Sequence, residues 1–128
     1  MILGYHHAQI TIPNGKEAEA MAFYCGVLGL EEIAKPPALA GRGGLCVAVG
    51  NQQLHIGTED GIDRLATKAH LAYEVDNVEE TKRLLAEYGI EILSSIPIPG
   101  YERFEFRDPF GNRTECISPM PGASPSGE

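Results

Sequence analysis

Asp108-Pro-Phe-Gly-Asn-Arg-Thr-Glu-Cys-Ile117 is the stretch whose reading decides the fold. Asp-Pro followed by Gly-Asn is turn chemistry, because Pro109 fixes φ while Gly111 and Asn112 tolerate left-handed backbone. The chain leaves the turn as a strand through Arg113, Thr114, Glu115, Cys116 and Ile117, which carries one carboxylate into a partly apolar run. An acid in mid-strand is unfavourable unless its face is wet or it has a partner. Glu115 therefore needs a reason for its position.

The segment 60 residues earlier has the same form (115 − 55 = 60). Leu45 to Val49 is a compact apolar strand, Gly50-Asn51 is a turn signal, and Gln52 to Gly57 is the returning strand of a hairpin. In that strand Leu54 and Ile56 share one face, while Gln53 and His55 share the other. The correspondence extends outward. Gly29-Leu30-Glu31 matches Gly89-Ile90-Glu91 (89 − 29 = 60), and His7 matches His70 (70 − 7 = 63).

The order strand, helix, strand, loop, strand, turn, strand thus occurs twice. Residues 5–13 alternate, with Ala8, Ile10 and Ile12 opposite His7, Gln9 and Thr11; His6 points away from His7 by the same parity. Leu71, Tyr73 and Val75 lie opposite His70, Ala72 and Glu74 in the second copy. The first helix has Ala18, Met21, Ala22, Cys25 and Leu28 at helical spacing and ends at Gly29. In the second, Asn77 caps the helix and Glu80 completes a capping box, Val78, Leu84, Leu85 and Tyr88 form an apolar stripe, and Gly89 ends it. Short strands follow at Leu30–Ala34 and Ile90–Leu93. A Lys35–Gly44 loop with two prolines and three glycines comes next in the first copy, and a Pro-rich Ser94–Gly100 loop before the strand Tyr101–Arg107 in the second. A polar connection over 58–68 joins the copies.

Each half has one helix and four strands, too little to cover both faces of its own sheet. The economical solution is an α+β fold of paired βαβββ modules, about 4–60 and 68–118, whose half-sheets form one curved mixed sheet with helices outside. Residues 1–118 form a single domain on this reading, and 119–128 a flexible C-terminal tail.

Composition narrows the function. The formal charge of −8 argues against nucleic acid or an anionic membrane as partner, since both need a basic footprint. No run approaches a membrane span, and the N-terminus lacks the basic start and long apolar region of a secretory signal. Cys25, Cys46 and Cys116 are scattered and never spaced C-x-x-C, as expected of reduced thiols in a cytoplasmic protein.

Strand parity then selects the chemistry. If the apolar faces pack on the helices, His7, His55 and His70 point into a polar trough, and Glu115 occupies the slot equivalent to His55. Three imidazoles and one carboxylate form a ligand set for a divalent transition metal: Zn, Ni, Fe, Co or Mn. Taken singly, each of these residues reads more simply as a strand side chain with an ordinary hydrogen bond. The four in register across a duplication favour ligation. Tyr101 and Arg103 begin the strand after the Pro-rich loop and could reach substrate, a guanidinium there suiting a carboxylate or phosphonate. Arg42, in a loop that could act as a lid, is a weaker candidate of the same kind.

The segments His7-Ala-Gln-Ile-Thr-Ile-Pro13, Phe23-Tyr-Cys-Gly-Val-Leu-Gly-Leu30, His70-Leu-Ala-Tyr-Glu-Val-Asp76 and Asp108 to Glu115 resemble the vicinal oxygen chelate superfamily over about residues 4–118. That superfamily contains glyoxalase I, fosfomycin-resistance thiol transferases, extradiol dioxygenases, methylmalonyl-CoA epimerase and bleomycin-resistance proteins. The resemblance implies paired βαβββ modules, a metal in the trough and a homodimer. It maps the first-strand ligand onto His7, the second-module ligand onto His70 and the last-strand ligand onto Glu115. The remaining position, a second carboxylate in glyoxalase-like lyases, is His55 here, a fourth ligand or an acid/base. The implied function is a metal-dependent enzyme acting on a small oxygenated substrate, with lyase or isomerase, thiol-transfer and oxygenation chemistry all open and Glu115 a candidate base. The rival is a metal-free binding protein of the bleomycin-resistance type, which the absence of Trp and the nine aromatic residues (Tyr 5, Phe 4) weaken.

Overall fold

A computed structural model describes residues 1–122, in two compact units, Met1–Asp63 and Arg64–Glu128. In the first unit the elements are β1 (His7–Ile12), α1 (Glu17–Met21) running into a π-helical segment (Ala22–Val27), β2 (Glu31–Ile33), a 3-10 segment (Pro37–Arg42), β3 (Leu45–Val49) and β4 (Gln52–Thr58). They make a four-stranded mixed sheet in the order β1-β4-β3-β2, with β1 parallel to β4 and the other pairs antiparallel. In the second unit β5 (His70–Glu74), α2 (Val78–Glu87), β6 (Tyr101–Arg107) and β7 (Arg113–Pro119) give a three-stranded sheet in the order β5-β7-β6, with β5 parallel to β7. The α+β class and the mixed sheets are those expected.

Alternation along the strands sorts the side chains. Ile12, Leu45, Val47, Leu54 and Ile56 are buried with Ala20, Phe23 and Tyr24, and form the apolar side of the first unit. Val78, Leu85, Phe104, Phe106 and Cys116 do so in the second. Phe104 and Phe106 are each 1% exposed; burying such a side chain stabilises by roughly 1.5–3 kcal/mol.

Several local expectations are corrected. The face of the first helix that is buried carries Ala20, Phe23 and Tyr24, while Met21 is exposed. The cause is the π segment: the Leu28 N–H donates to the Phe23 carbonyl, one residue beyond α-helical reach, and two consecutive aromatics turn inward in a T-shaped contact. Asn77 does cap α2, its Oδ1 accepting from the Glu80 N–H at 3.0 Å, but only Val78 and Leu85 of the proposed stripe are buried; Leu84 and Tyr88 are exposed. The strand expected at Ile90–Leu93 is reduced to one bridge between Leu93 and Glu105. The tail begins later than expected, since Pro119 ends β7 and the Met120 N–H donates to the Gly100 carbonyl. The rest of that tail, 123–128, lies outside the described residues. Among the described residues no helix is long and apolar enough to cross a membrane.

The Asp108 turn is built as its sequence suggests. Asp108 is 4% exposed, and its Oδ1 accepts from the Phe110 and Asn112 N–H groups at 2.9 and 2.8 Å. Gly111 has φ +97°, and a Cβ there would come within 3.3 Å of Leu65. This closed turn fixes where β7 starts, and therefore where Glu115 sits.

Candidate metal and substrate site

In the second unit, β5 and β7 run parallel with Ala72 opposite Glu115, so His70 stands two residues before the acid's partner on the same face. The contact is direct: His70 Nε2 lies 3.3 Å from Glu115 Oε1. The other ring nitrogen, Nδ1, donates to the Lys68 carbonyl at 3.0 Å, and that carbonyl also accepts from Arg113 at 3.4 Å. With its proton on Nδ1, the imidazole presents a bare lone pair at Nε2 to a carboxylate oxygen. Two acceptors that close repel unless a cation lies between them, a proton on Nε2 or a metal ion. A separation of about 3.3 Å is also what two ligands of one ion have when each bond is ~2.1 Å. On this observation the donor pair fits a divalent metal, and the Nδ1 bond is the kind that fixes a ligating ring.

Glu115 is only 5% exposed, and its second neighbour is Arg103, whose Nη1 lies 3.3 Å from the same Oε1. Arg103 is itself anchored, with Nε and Nη2 both donating to the Ile96 carbonyl of the Pro-rich loop. Tyr101 and Arg103 line a cavity of about 240 Å³ with Ser95, Ile98 and Lys82. Beside them Arg113 grips Glu105 through two contacts of 2.6 and 3.1 Å, and that hydrogen bonding holds the Glu105 carboxyl below its usual range. The sequence analysis does not name this pair: alternation along β6 and β7 puts both residues on the Glu115 face, and alternation cannot name a partner.

In the first unit, β1 and β4 run parallel with Gln9 opposite His55. His7 is again two residues before the partner, and its ring stacks on His55 with centroids 3.9 Å apart and planes 13° from parallel. Stacked rings aim their lone pairs side by side, so this pair converges on an ion only after one ring turns. His55 Nε2 donates to Gln53 Oε1 at 2.9 Å, and burial together with the His7 and His6 rings holds its pKa below the ordinary histidine value. His6 does not point away: its Nδ1 lies 3.0 Å from His7 Nδ1. The parity argument failed there because β1 begins only at His7.

The sequence-derived set is therefore found as two contacting pairs, His7 with His55 and His70 with Glu115. Among the described residues no group of three or more His, Cys, Asp and Glu side chains gathers in a metal-holding cluster. The three cysteines are free, Cys46 and Cys116 being buried.

A family model described as the Glyoxalase/Bleomycin resistance protein/Dioxygenase superfamily matches residues 5–116. Among solved structures, the chain is similar to a "putative glyoxalase family protein" from Bacillus anthracis at 42% identity and TM-score 0.88, covering 94% of this chain and 98% of that one. It shares its fold with a lactoylglutathione lyase from Agrobacterium tumefaciens (23% identity, TM-score 0.68, 90% and 92% covered). The same holds for the fosfomycin resistance protein FosX from Listeria monocytogenes complexed with Mn(II) and sulfate (18%, TM-score 0.74, 94% and 93%). No curated protein matches the chain.

Proposed function

The chain belongs to the Glyoxalase/Bleomycin resistance protein/Dioxygenase superfamily, and from that premise we propose that it is a cytoplasmic, homodimeric, metal-dependent enzyme acting on a small oxygenated molecule. His70 and Glu115 of the second unit hold a divalent ion; His7, the matching histidine of the first unit, is the further candidate ligand, and His55 a fourth ligand or an acid/base. The observation that carries the reading is the contact of His70 Nε2 with Glu115 Oε1 at 3.3 Å, made by a ring whose other nitrogen is already tied to Lys68. The Mn(II) complex of FosX supports a divalent ion in this fold.

When bound, the ion supplies a Lewis acid for vicinal oxygens and for the negative charge that develops on one of them. The chain's own residues do the remainder. Arg103, half-turned from the loop carbonyl toward Glu115, is placed to receive an anionic substrate group, and Tyr101 lines the same cavity. Glu115, set between His70 and Arg103, would be the chain's group for accepting a substrate proton. His55, neutral at neutral pH, can take a proton on its free nitrogen.

Manganese titration of chelator-stripped protein, followed by electron paramagnetic resonance, tests this. His70→Ala and Glu115→Gln should each weaken binding by more than the roughly 10–100-fold typical of lost outer partners, and His7→Ala comparably. Undiminished affinity in His70→Ala removes the enzyme reading as stated, and a wild type that binds no manganese leaves a metal-free binding protein.

A further inference from the structure

The sheet face that carries His7 and His55 is roofed, within the first unit, by the segment from Lys35 to Gly44. Between roof and sheet lies a cavity of about 280 Å³, lined from below by Gln9, Cys46, His55 and Thr58 and from above by Lys35 and Arg42. That volume is near the lower end of the roughly 300–1,000 Å³ of small-molecule sites, so its occupant is small.

The roof is held at its neck. The Gly44 N–H donates to Glu17 Oε2 at 3.0 Å, and Lys35 Nζ donates to the Gly43 carbonyl, tying the start of the segment to its end. Gly44 has φ +79°, and a Cβ there would lie 2.2 Å from the Ile56 carbonyl oxygen, so only glycine lets the backbone pass so close over β4.

The charge of the cavity is opposite to that of the protein. The chain carries −8 overall, yet the lining holds Lys35, Arg42 and no Asp or Glu. Glu17, the carboxylate at the neck, is engaged by the Gly44 amide. Among the described residues Arg42 has no hydrogen-bond or ion-pair partner. Beside these cations Leu39 supplies apolar surface. A fork of guanidinium donors without a carboxylate, next to an ammonium, a hydroxyl and an amide, is complementary to an oxyanion, and the apolar surface to a short carbon skeleton.

We propose that this cavity binds the carboxylate or phosphate-type oxyanion of a small organic anion, with Arg42 as the principal contact and Lys35, Thr58 and Gln9 around it. As the substrate class for the metal-dependent reading, this rests on that reading; as a binding site, it does not, since every residue lies in the first unit.

The test is an NMR titration of the full, chelator-stripped chain with inorganic phosphate and, separately, butyrate, at constant ionic strength kept with chloride. Saturable shifts are expected at the amides of Gly43, Gly44 and Thr58 and at Arg42 Nε, with the stronger of the two arms identifying the anion preferred. Arg42→Gln, a change at an exposed loop position, should weaken binding roughly 10–100-fold, the loss of hydrogen bonds to a charged group, and Arg42→Lys should restore part of it. Shifts that fail to saturate, that chloride reproduces, or that Arg42→Gln leaves unchanged overturn the proposal. His70→Ala should bind the anion as the wild type does while losing manganese; loss of anion binding in His70→Ala equal to that in Arg42→Gln places the anion elsewhere and also overturns it.

Discussion

In the first unit β1 and β4 set Gln9 against His55; in the second, β5 and β7 set Ala72 against Glu115. The offsets agree with those of the motifs themselves, 72 − 9 = 63 and 115 − 55 = 60. In both units a histidine stands two residues before the partner, and in both its ring touches the side chain on the neighbouring strand. One register thus yields a ring stack in one copy and a histidine–carboxylate contact with an arginine behind it in the other. Parallel pairing supplies the proximity; the residue at one position decides whether that proximity is a packing contact or a charged centre.

The largest expected effect breaks this symmetry through stability. Glu115→Ala removes a carboxylate that is 7% exposed in its side chain and leaves Arg103, at 15%, facing the vacated space. Breaking a buried charged pair on one side costs about 3–5 kcal/mol, and the partial exposure of Arg103 reduces this to about 2–3 kcal/mol. His55→Ala loses a half-buried stack, about 0.5–1 kcal/mol. Urea unfolding of the two variants should separate them clearly; equal losses would mean that the two pairs are energetically interchangeable and that the acid has no special place.

What was legible in the sequence follows from what alternation encodes. Parity assigned His7, His55, His70 and Glu115 to their faces, and the 60- and 63-residue offsets gave the register, because strand period and duplication are both written residue by residue. Partners were not legible. Nothing in Tyr101–Arg107 says that Arg103 reaches Glu115 while Glu105 takes Arg113, since both acids and both arginines share one face. Nor was the π turn, in which Phe23 and Tyr24 enter the core together; a 3.6-residue period places neighbours about 100° apart and selects Met21 instead. The Ile90–Leu93 strand dwindled to a single bridge between Leu93 and Glu105.

Acid should resolve the units by window. His55 titrates below its ordinary value of 6.5, chiefly from burial, so the native state takes that proton less readily than the unfolded chain. Its contribution is present above 6.5 and falls away as pH drops from there to the lowered native value. Glu105 titrates below its ordinary 4.5, chiefly through the Arg113 hydrogen bonds, so its contribution persists to lower pH and is lost as pH falls through that lowered value. Amide exchange followed against pH should show protection of β4 declining first, just below 6.5, and protection of β6 and β7 declining only below 4.5. Glu105→Gln should abolish the second decline and leave the first. A single common transition would show that the units respond as one.

The smallest effect compares two cysteines on opposite faces of their sheets. Cys46 is in register with His55 and lines the anion cavity, whereas Cys116 is in register with Phe104 on the apolar side, next in sequence to Glu115. Burial, reinforced by the Glu115 charge, pushes the Cys116 thiol up to about 12, so almost no thiolate forms at pH 8. Iodoacetamide labelling of the native protein, read by mass spectrometry, should modify half-exposed Cys25 first, Cys46 more slowly through the cavity, and Cys116 only after unfolding. Even Cys25 should react below the rate of a free thiol, because burial and the Glu32 charge raise its pKa as well. Labelling of Cys116 at the rate of Cys46 would mean that the apolar side of the second sheet is as open to solvent as the cavity side of the first.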